Sequence, residues 1–134
     1  MIKDGITSFL FPSLVWFLVA SAASAADEGE WRVFSREANG DVYFFDTSRV
    51  KKSSDLRTVW TRIRYKRTVM AAASYQSLLE FDCSERTARV LQRTFFSDKH
   101  WEKPAMSTDM KAKPERPIEE GSATERLSEI VCNP

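Results

Sequence analysis

Two consecutive segments in the middle of the chain alternate apolar and polar residues, and this alternation constrains the fold more than any other feature. Residues 56–65 and 74–83 each repeat with the two-residue period of an extended strand. A tight turn at residues 84–86 leads from the second segment into a third, residues 87–97. The pattern predicts strands of an antiparallel sheet with one apolar side and one solvent-facing side.

A further hairpin is predicted near the N-terminal end of this sheet. Residues 31–35 and 42–46 are rich in β-branched and aromatic side chains, and residues 39–41 (Asn-Gly-Asp) between them favour a turn. Residues 47–54 are polar and are interpreted as a connector.

The chain loses its periodicity after the third strand. Residues 98–121 contain three prolines and scattered charges, which indicates a long loop, with one edge strand near residues 109–113. A C-terminal helix then begins at Ser122, because Ser122 and Glu125 have the spacing of a capping box. Leu127 and Val131 give this helix an apolar stripe that can pack on the sheet, and it is expected to end or tighten by about residue 131.

Residues 1–25 have the order of a secretory signal peptide. A short charged region precedes an apolar run at residues 9–20, and small residues follow it. Twelve apolar residues span roughly 18 Å, less than the roughly 30 Å core of a bilayer, so no transmembrane span is expected in the mature chain. We expect cleavage after Ala25, a single domain over residues 26–134, and no lipid anchor, because no cysteine follows the apolar run.

Cys83 and Cys132 are the two cysteines of the chain. An exported protein meets an oxidising compartment, where such a pair normally forms a disulfide. A redox-active pair would normally have C-x-x-C spacing, so a structural bond is the preferred interpretation.

No constellation for catalysis or metal binding is visible. The single histidine, His100, lies in a region predicted as loop and has no base partner nearby in the sequence. Nucleotide, zinc-protease and calcium motifs are absent, and the carboxylates are scattered. We therefore predict no enzyme, no metal site and no cofactor.

Charge is segregated along the chain even though the net charge is only +1. Residues 49–67 contain eight basic residues and one acidic residue, whereas residues 26–48 are acidic. The candidate binding surface consists of Trp60, Arg62, Arg64 and Arg67. Because Trp60, Arg62 and Arg64 share a strand face, they are suited to a polyanion or an acidic protein. The alternative is a solvated face neutralised by the acidic N-terminal hairpin.

The order of these features resembles the surface-adhesin E-like family of small exported proteobacterial proteins. The matching segments, in chain order, are Trp31, residues 41–46 (DVYFFD), residues 57–60 (RTVW), Ser77, residues 81–83 (FDC), Gly121 with Ser122, and residues 130–132 (IVC). The resemblance implies an α+β fold: an antiparallel sheet of about six strands, with the helix tied to it by Cys83–Cys132. It also implies binding to host matrix glycoproteins in some members and no enzymatic activity, and it leaves homodimerisation open.

Together these features predict a non-catalytic exported binding protein, adhesin-like, whose ligand is a protein or a polyanion. Without a lipid-bearing cysteine, a periplasmic or secreted location is expected. The alternative function is an envelope-associated structural protein that contacts lipopolysaccharide or peptidoglycan. Nucleic acid is not expected as a partner, since the net charge supplies no attracting field for it.

Overall fold

The structure is a computed structural model that describes residues 29–133, so the predicted signal peptide lies outside the described residues. Within this range the chain forms one antiparallel sheet and a C-terminal helix. The elements are β1 (Trp31–Arg36), β2 (Val42–Asp46), β3 (Lys51–Ser53), β4 (Leu56–Val69), β5 (Ala72–Asp82), β6 (Thr87–Phe96), β7 (Ala105–Asp109), β8 (Arg116–Pro117) and α1 (Ala123–Cys132). The strand order is β1-β2-β4-β5-β6-β7, with β3 paired to β4 and β8 paired to β6.

The predicted α+β architecture is confirmed, and the strands with clear alternation are found where the sequence places them. The hairpin of β4 and β5 is the centre of the sheet, paired from Leu56 opposite Asp82 to Arg64 opposite Ser74. β1 and β2 form the N-terminal hairpin, with a bulge near Phe34. The long β4–β5 pair therefore forms a platform for the other elements.

Two regions interpreted from the sequence as irregular contain strands: the connector at residues 47–54 and the long loop at residues 98–121. β3 lies inside residues 47–54, and β7 begins at Ala105, earlier than the expected edge strand near residues 109–113. All three β3 residues are exposed, as are four of the five β7 residues. These strands exist because β4 and β6 offer unpaired backbone groups, and backbone pairing leaves no apolar pattern in the sequence.

The core lies between α1 and one face of the sheet. Phe45, Val59 and Phe81 come from the sheet, and Leu127 and Val131 come from the helix. Full burial of each such side chain contributes about 1.5–3 kcal/mol, so this contact fixes which face of the sheet is covered.

The helix begins as the sequence predicts, with one difference in the cap. The Ser122 hydroxyl accepts a hydrogen bond from the Glu125 backbone N–H at 3.1 Å. The Glu125 carboxylate accepts from the N–H of Gly121, not of Ser122, whose own N–H donates to the Glu119 carbonyl. Both side chains still satisfy free backbone groups at the helix start.

The predicted disulfide is formed. Cys83 and Cys132 are bonded, with their Cα atoms 5.7 Å apart. The helix α1 ends at Cys132, one residue beyond the position of about 131 expected from the sequence. One position beyond the buried Val131, Cys132 lies beside the apolar stripe and reaches Cys83 just past the end of β5.

Candidate functional site

Three of the four candidate residues, Trp60, Arg62 and Arg64, lie on the sheet face opposite the helix. Phe44 of β2 and Gln76 of β5 are the cross-strand neighbours of Arg62. Directly opposed residues share a face, so these three side chains leave the sheet on the side away from Val59 and Phe45. The prediction that Arg62 and Arg64 leave β4 on the face opposite Val59 is therefore correct.

Arg62 is nevertheless buried, with only 8% of its surface exposed. Its guanidinium lies between two indole rings, 4.2 Å from the ring centre of Trp31 and 4.7 Å from that of Trp101. Its Nε donates a hydrogen bond of 2.8 Å to Oε1 of Gln76. The expectation that Arg62 faces solvent is wrong, because the segment after β6 folds back and covers it.

This covering segment is organised by Asp98. The Asp98 carboxylate accepts three backbone hydrogen bonds, from His100, Glu102 and Lys103, at 3.2, 3.0 and 3.3 Å. Burial raises the pKa of Asp98, but these bonds lower it more, so the carboxyl group titrates below its usual value. The turn brings Trp101 over the sheet, where its indole N–H donates to the Tyr75 carbonyl at 3.1 Å.

The stacking continues outward from Arg62. Trp101 meets Phe44 edge to face at 5.8 Å, and the Arg64 guanidinium lies 5.2 Å from the centre of the Phe44 ring. We call Trp31, Phe44, Arg62, Arg64 and Trp101 the arginine–aromatic cluster. Each cation–π contact contributes about 0.5–2 kcal/mol, more where water is excluded, so the inner part of the cluster is rigid.

The other two predicted surface residues lie outside this cluster. Trp60 stacks with Arg49, whose guanidinium carbon is 5.7 Å from the ring centre. Arg67 is exposed near the far end of β4. The structure thus brings Arg62 and Arg64 together, but it does not join Trp60 and Arg67 to them in one contact network.

Sequence reasoning missed Trp31, Phe44 and Trp101 as members of the site. Of these, Trp101 could have been predicted from the sequence, because a large aromatic side chain within a run of charged loop residues is expected to pack against the protein surface. Its neighbour His100 is exposed.

Three tyrosines lie on the helix-bearing face or near it. Burial raises the pKa of Tyr43, Tyr65 and Tyr75, and that of Tyr65 reaches about 12 because the neighbouring phenols and Asp41 add to the effect. These hydroxyls stay protonated at physiological pH, so they provide neutral hydrogen-bonding groups and no charge.

Across residues 29–133, no group of three or more His, Cys, Asp or Glu side chains is arranged to hold a metal ion. In the same range, no helix has the length and apolar character needed to cross a membrane. On the face away from the helix, arginine guanidinium groups stack on aromatic rings.

Comparisons with known proteins agree with this architecture. The sequence model of surface-adhesin protein E matches residues 31–133. Crystal form II of Haemophilus influenzae protein E superposes with a TM-score of 0.62 at 9% identity, covering 76% of this chain and 86% of that one. Another structure of Haemophilus influenzae protein E gives a TM-score of 0.60 at 10% identity, covering 76% and 83%. No curated protein sequence gives a significant match. The family match spans most of the described chain, and the protein belongs to the surface-adhesin protein E family.

Proposed function

We propose that this chain is a non-catalytic, adhesin-like binding protein that takes an acidic protein segment or a polyanion on the outer part of its basic face. The contact residues would be Arg64 and Arg67, with Trp60 nearby. Arg62 supports this surface from below, because it is buried between Trp31 and Trp101 and cannot reach a large ligand.

The proposal rests on three basic residues, Arg64, Lys66 and Arg67, that form no ion pair with any described residue. Among residues 29–133, ion pairs join Arg49 to Asp46, Arg89 to Glu80, Arg93 and Lys113 to Asp109, and Arg126 to Glu37. None of them engages Arg64, Lys66 or Arg67. Lys66 and Arg67 are exposed and Arg64 is half-buried. This favours a ligand over the alternative in which the acidic N-terminal hairpin neutralises the face, since accessible cations without an ion pair attract anions from solution.

Charge reversal tests the proposal directly. The double variant Arg64→Glu/Arg67→Glu is expected to bind immobilised heparin at least thirtyfold more weakly, about 2 kcal/mol, with binding that falls steeply as salt rises. The matched control is Lys51→Glu/Lys52→Glu, which changes charge equally on exposed β3 residues. Lys51 pairs with Thr58, about 20 Å along β4 from Arg64, so the control should retain heparin much better.

The melting temperature of both variants separates binding from folding. Unchanged heparin retention in the Arg64→Glu/Arg67→Glu variant would contradict the proposal. A lowered melting temperature with unchanged retention would show that the basic strand end is a structural feature, and the binding surface would then lie elsewhere.

Export is part of the same proposal. The small residues before Ala26 support cleavage after Ala25, and the lack of a cysteine there supports a periplasmic or secreted protein without a lipid. Intact-mass measurement of exported material decides this, since retention of residues 1–25 or an added acyl mass would contradict it.

A further inference from the structure

A cavity of about 570 Å³ lies on the helix-bearing face of the sheet, away from the arginine–aromatic cluster. β6 forms one side, the segment around β8 forms the other, and the first turn of α1 closes one end. The segment is attached at both ends: the Lys113 N–H donates to the Val90 carbonyl at 2.8 Å, and the Ile118 N–H donates to the Arg86 carbonyl at 3.1 Å. Between these attachments, Arg116 and Pro117 of β8 pair with Ala88 and Thr87 of β6, and the cavity lies against this edge of the sheet.

The floor of the cavity is apolar. Leu79, Ala88 and Ile118 line it, and the same three residues pack from the side against the buried core. Val90 and Pro114 extend this surface toward the opening. An apolar body placed here would continue the core, which is how most small-molecule sites hold the larger part of a ligand.

The rim of the cavity is basic. Four basic side chains line it, against one acidic side chain, Glu119; the basic residues are Arg89, Arg93, Lys113 and Arg116. Arg89 forms an ion pair with Glu80, and Lys113 forms an ion pair with Asp109 at 2.6 Å. Arg116 is exposed and forms no ion pair with any described residue.

The side chain of Arg93 also points to an anionic ligand. Its Nε is buried and has no hydrogen-bond partner among the described residues. Its Nη2 lies 3.7 Å from the Asp109 carboxylate, longer than a hydrogen bond. A buried donor without an acceptor is unfavourable, and an anion bound in the cavity would provide the acceptor.

We propose that this cavity binds an amphipathic anion: a single apolar chain on the Leu79–Ile118 floor, with a carboxylate or phosphate head at Arg93 and Arg116. At roughly 30 Å³ per non-hydrogen atom, the space holds about 15 to 20 such atoms, which fits a chain of moderate length. The inference goes beyond the proposed function, because the two sites lie on opposite faces of the sheet and use different residues.

Titration of the ¹⁵N-labelled protein with three probes of equal chain length tests the inference. Decanoate and decyl phosphate are expected to shift the amide signals of β6 and of residues 113–124. Each anion is expected to bind at least tenfold more tightly than decanol. A preference between the two anions identifies the head group as a carboxylate or as a phosphate, and equal binding supports the shared anionic chemistry. Equal affinity for decanol, shifts confined to other regions, or no binding at 1 mM would overturn it.

Three variants identify the residues that hold the head group. Arg93→Gln/Arg116→Gln should weaken decanoate at least tenfold and leave decanol unchanged, whereas Lys52→Gln, on exposed β3, should change neither. Arg116→Gln alone guards against misfolding, because an exposed side chain with no ion pair contributes little to stability. If decanoate affinity is the same in all three variants, the anionic head is not held as proposed.

Discussion

Asp46 is fully buried at the end of β2, and donors from three neighbouring residues surround its carboxylate. The Glu30 N–H donates at 3.0 Å, the Ser48 N–H and hydroxyl donate at 2.9 and 2.6 Å, and Arg49 forms an ion pair with it. Gly29 completes the enclosure, since a Cβ there would lie 2.6 Å from Asp46 Oδ2. This one side chain therefore joins the start of β1 to the turn after β2.

The free energy of unfolding should depend on pH through the ionisation of Asp46. Burial raises its pKa, but the hydrogen bonds lower it more, to about 2 from 3.8. A lowered folded-state pKa contributes stability that is complete above about pH 4 and is lost as the pH falls toward 2, about 2 kcal/mol in all. Urea unfolding of Asp46→Asn at pH 7 should show a loss of about that size or more.

The pH profile provides the control for this prediction. The difference in unfolding free energy between wild type and Asp46→Asn should shrink between pH 4 and pH 2. Asp55→Asn, at an exposed position, should follow the wild-type profile. A difference that stays constant with pH would show that Asp46 is not the titrating group.

The turn between β4 and β5 has unusual residues for its backbone shape. Met70 and Ala71 both have positive φ angles, 49° and 67°, where two-residue hairpins favour Asn-Gly. Met70 is also 95% exposed, so no packing offsets the strain.

Replacing this turn should stabilise the protein. Met70→Asn/Ala71→Gly is expected to raise the unfolding free energy by about 1–2 kcal/mol, because both new residues adopt positive φ easily. The urea midpoint measures this, with Met110→Asn as control at another exposed methionine. A midpoint equal to or below that of wild type would contradict the prediction.

At the scale of elements, the segment between β6 and β7 acts as a cover held by one carboxylate. Asp98→Ala removes the acceptor of three backbone hydrogen bonds and should free Trp101 from Arg62. We expect a stability loss of about 1–2 kcal/mol and faster hydrogen exchange in residues 98–104. Asp55→Ala, at an exposed position, should leave exchange there unchanged.

The sequence predicts which residues share a strand face, but not what covers that face. The alternation of β4 correctly separates Val59 from Arg62, because side-chain direction follows from the backbone period alone. Burial of Arg62 depends on Trp101, which is 39 residues further along the chain and arrives through a turn built from backbone hydrogen bonds. No local pattern encodes such a contact, so the sequence did not predict that Arg62 is covered while Arg64 is half-buried and Arg67 exposed.

The same limit explains the short strands. β3 and β8 have two or three residues each and are exposed, so neither has a periodicity to detect. They form because a longer strand beside them has free backbone groups. The capping box and the cysteine pair were predictable because each depends on residue chemistry at a fixed spacing or in a given compartment.

At the scale of the whole molecule, the helix is fastened to the sheet in three ways. Leu127 and Val131 enter the core, the disulfide closes a separation of 49 residues, and Arg126 donates to Ser35 and Glu37 of the N-terminal hairpin at 2.7 Å. The disulfide acts mainly on the unfolded chain, whereas the other two act on the folded one. Removal of the disulfide should therefore destabilise the whole fold without detaching the helix.

The variant Cys83→Ser/Cys132→Ser tests this. Its unfolding free energy should fall by about 4 kcal/mol, the chain-entropy value for a loop of this length, while native-state hydrogen exchange in α1 stays as slow relative to the sheet as in wild type. Arg126→Ala provides the contrast, with a smaller loss and faster exchange confined to the first turns of the helix. Rapid exchange through all of α1 beside a protected sheet in the cysteine variant would contradict the prediction, because it would make the disulfide, and not the packing of Leu127 and Val131, the main attachment of the helix.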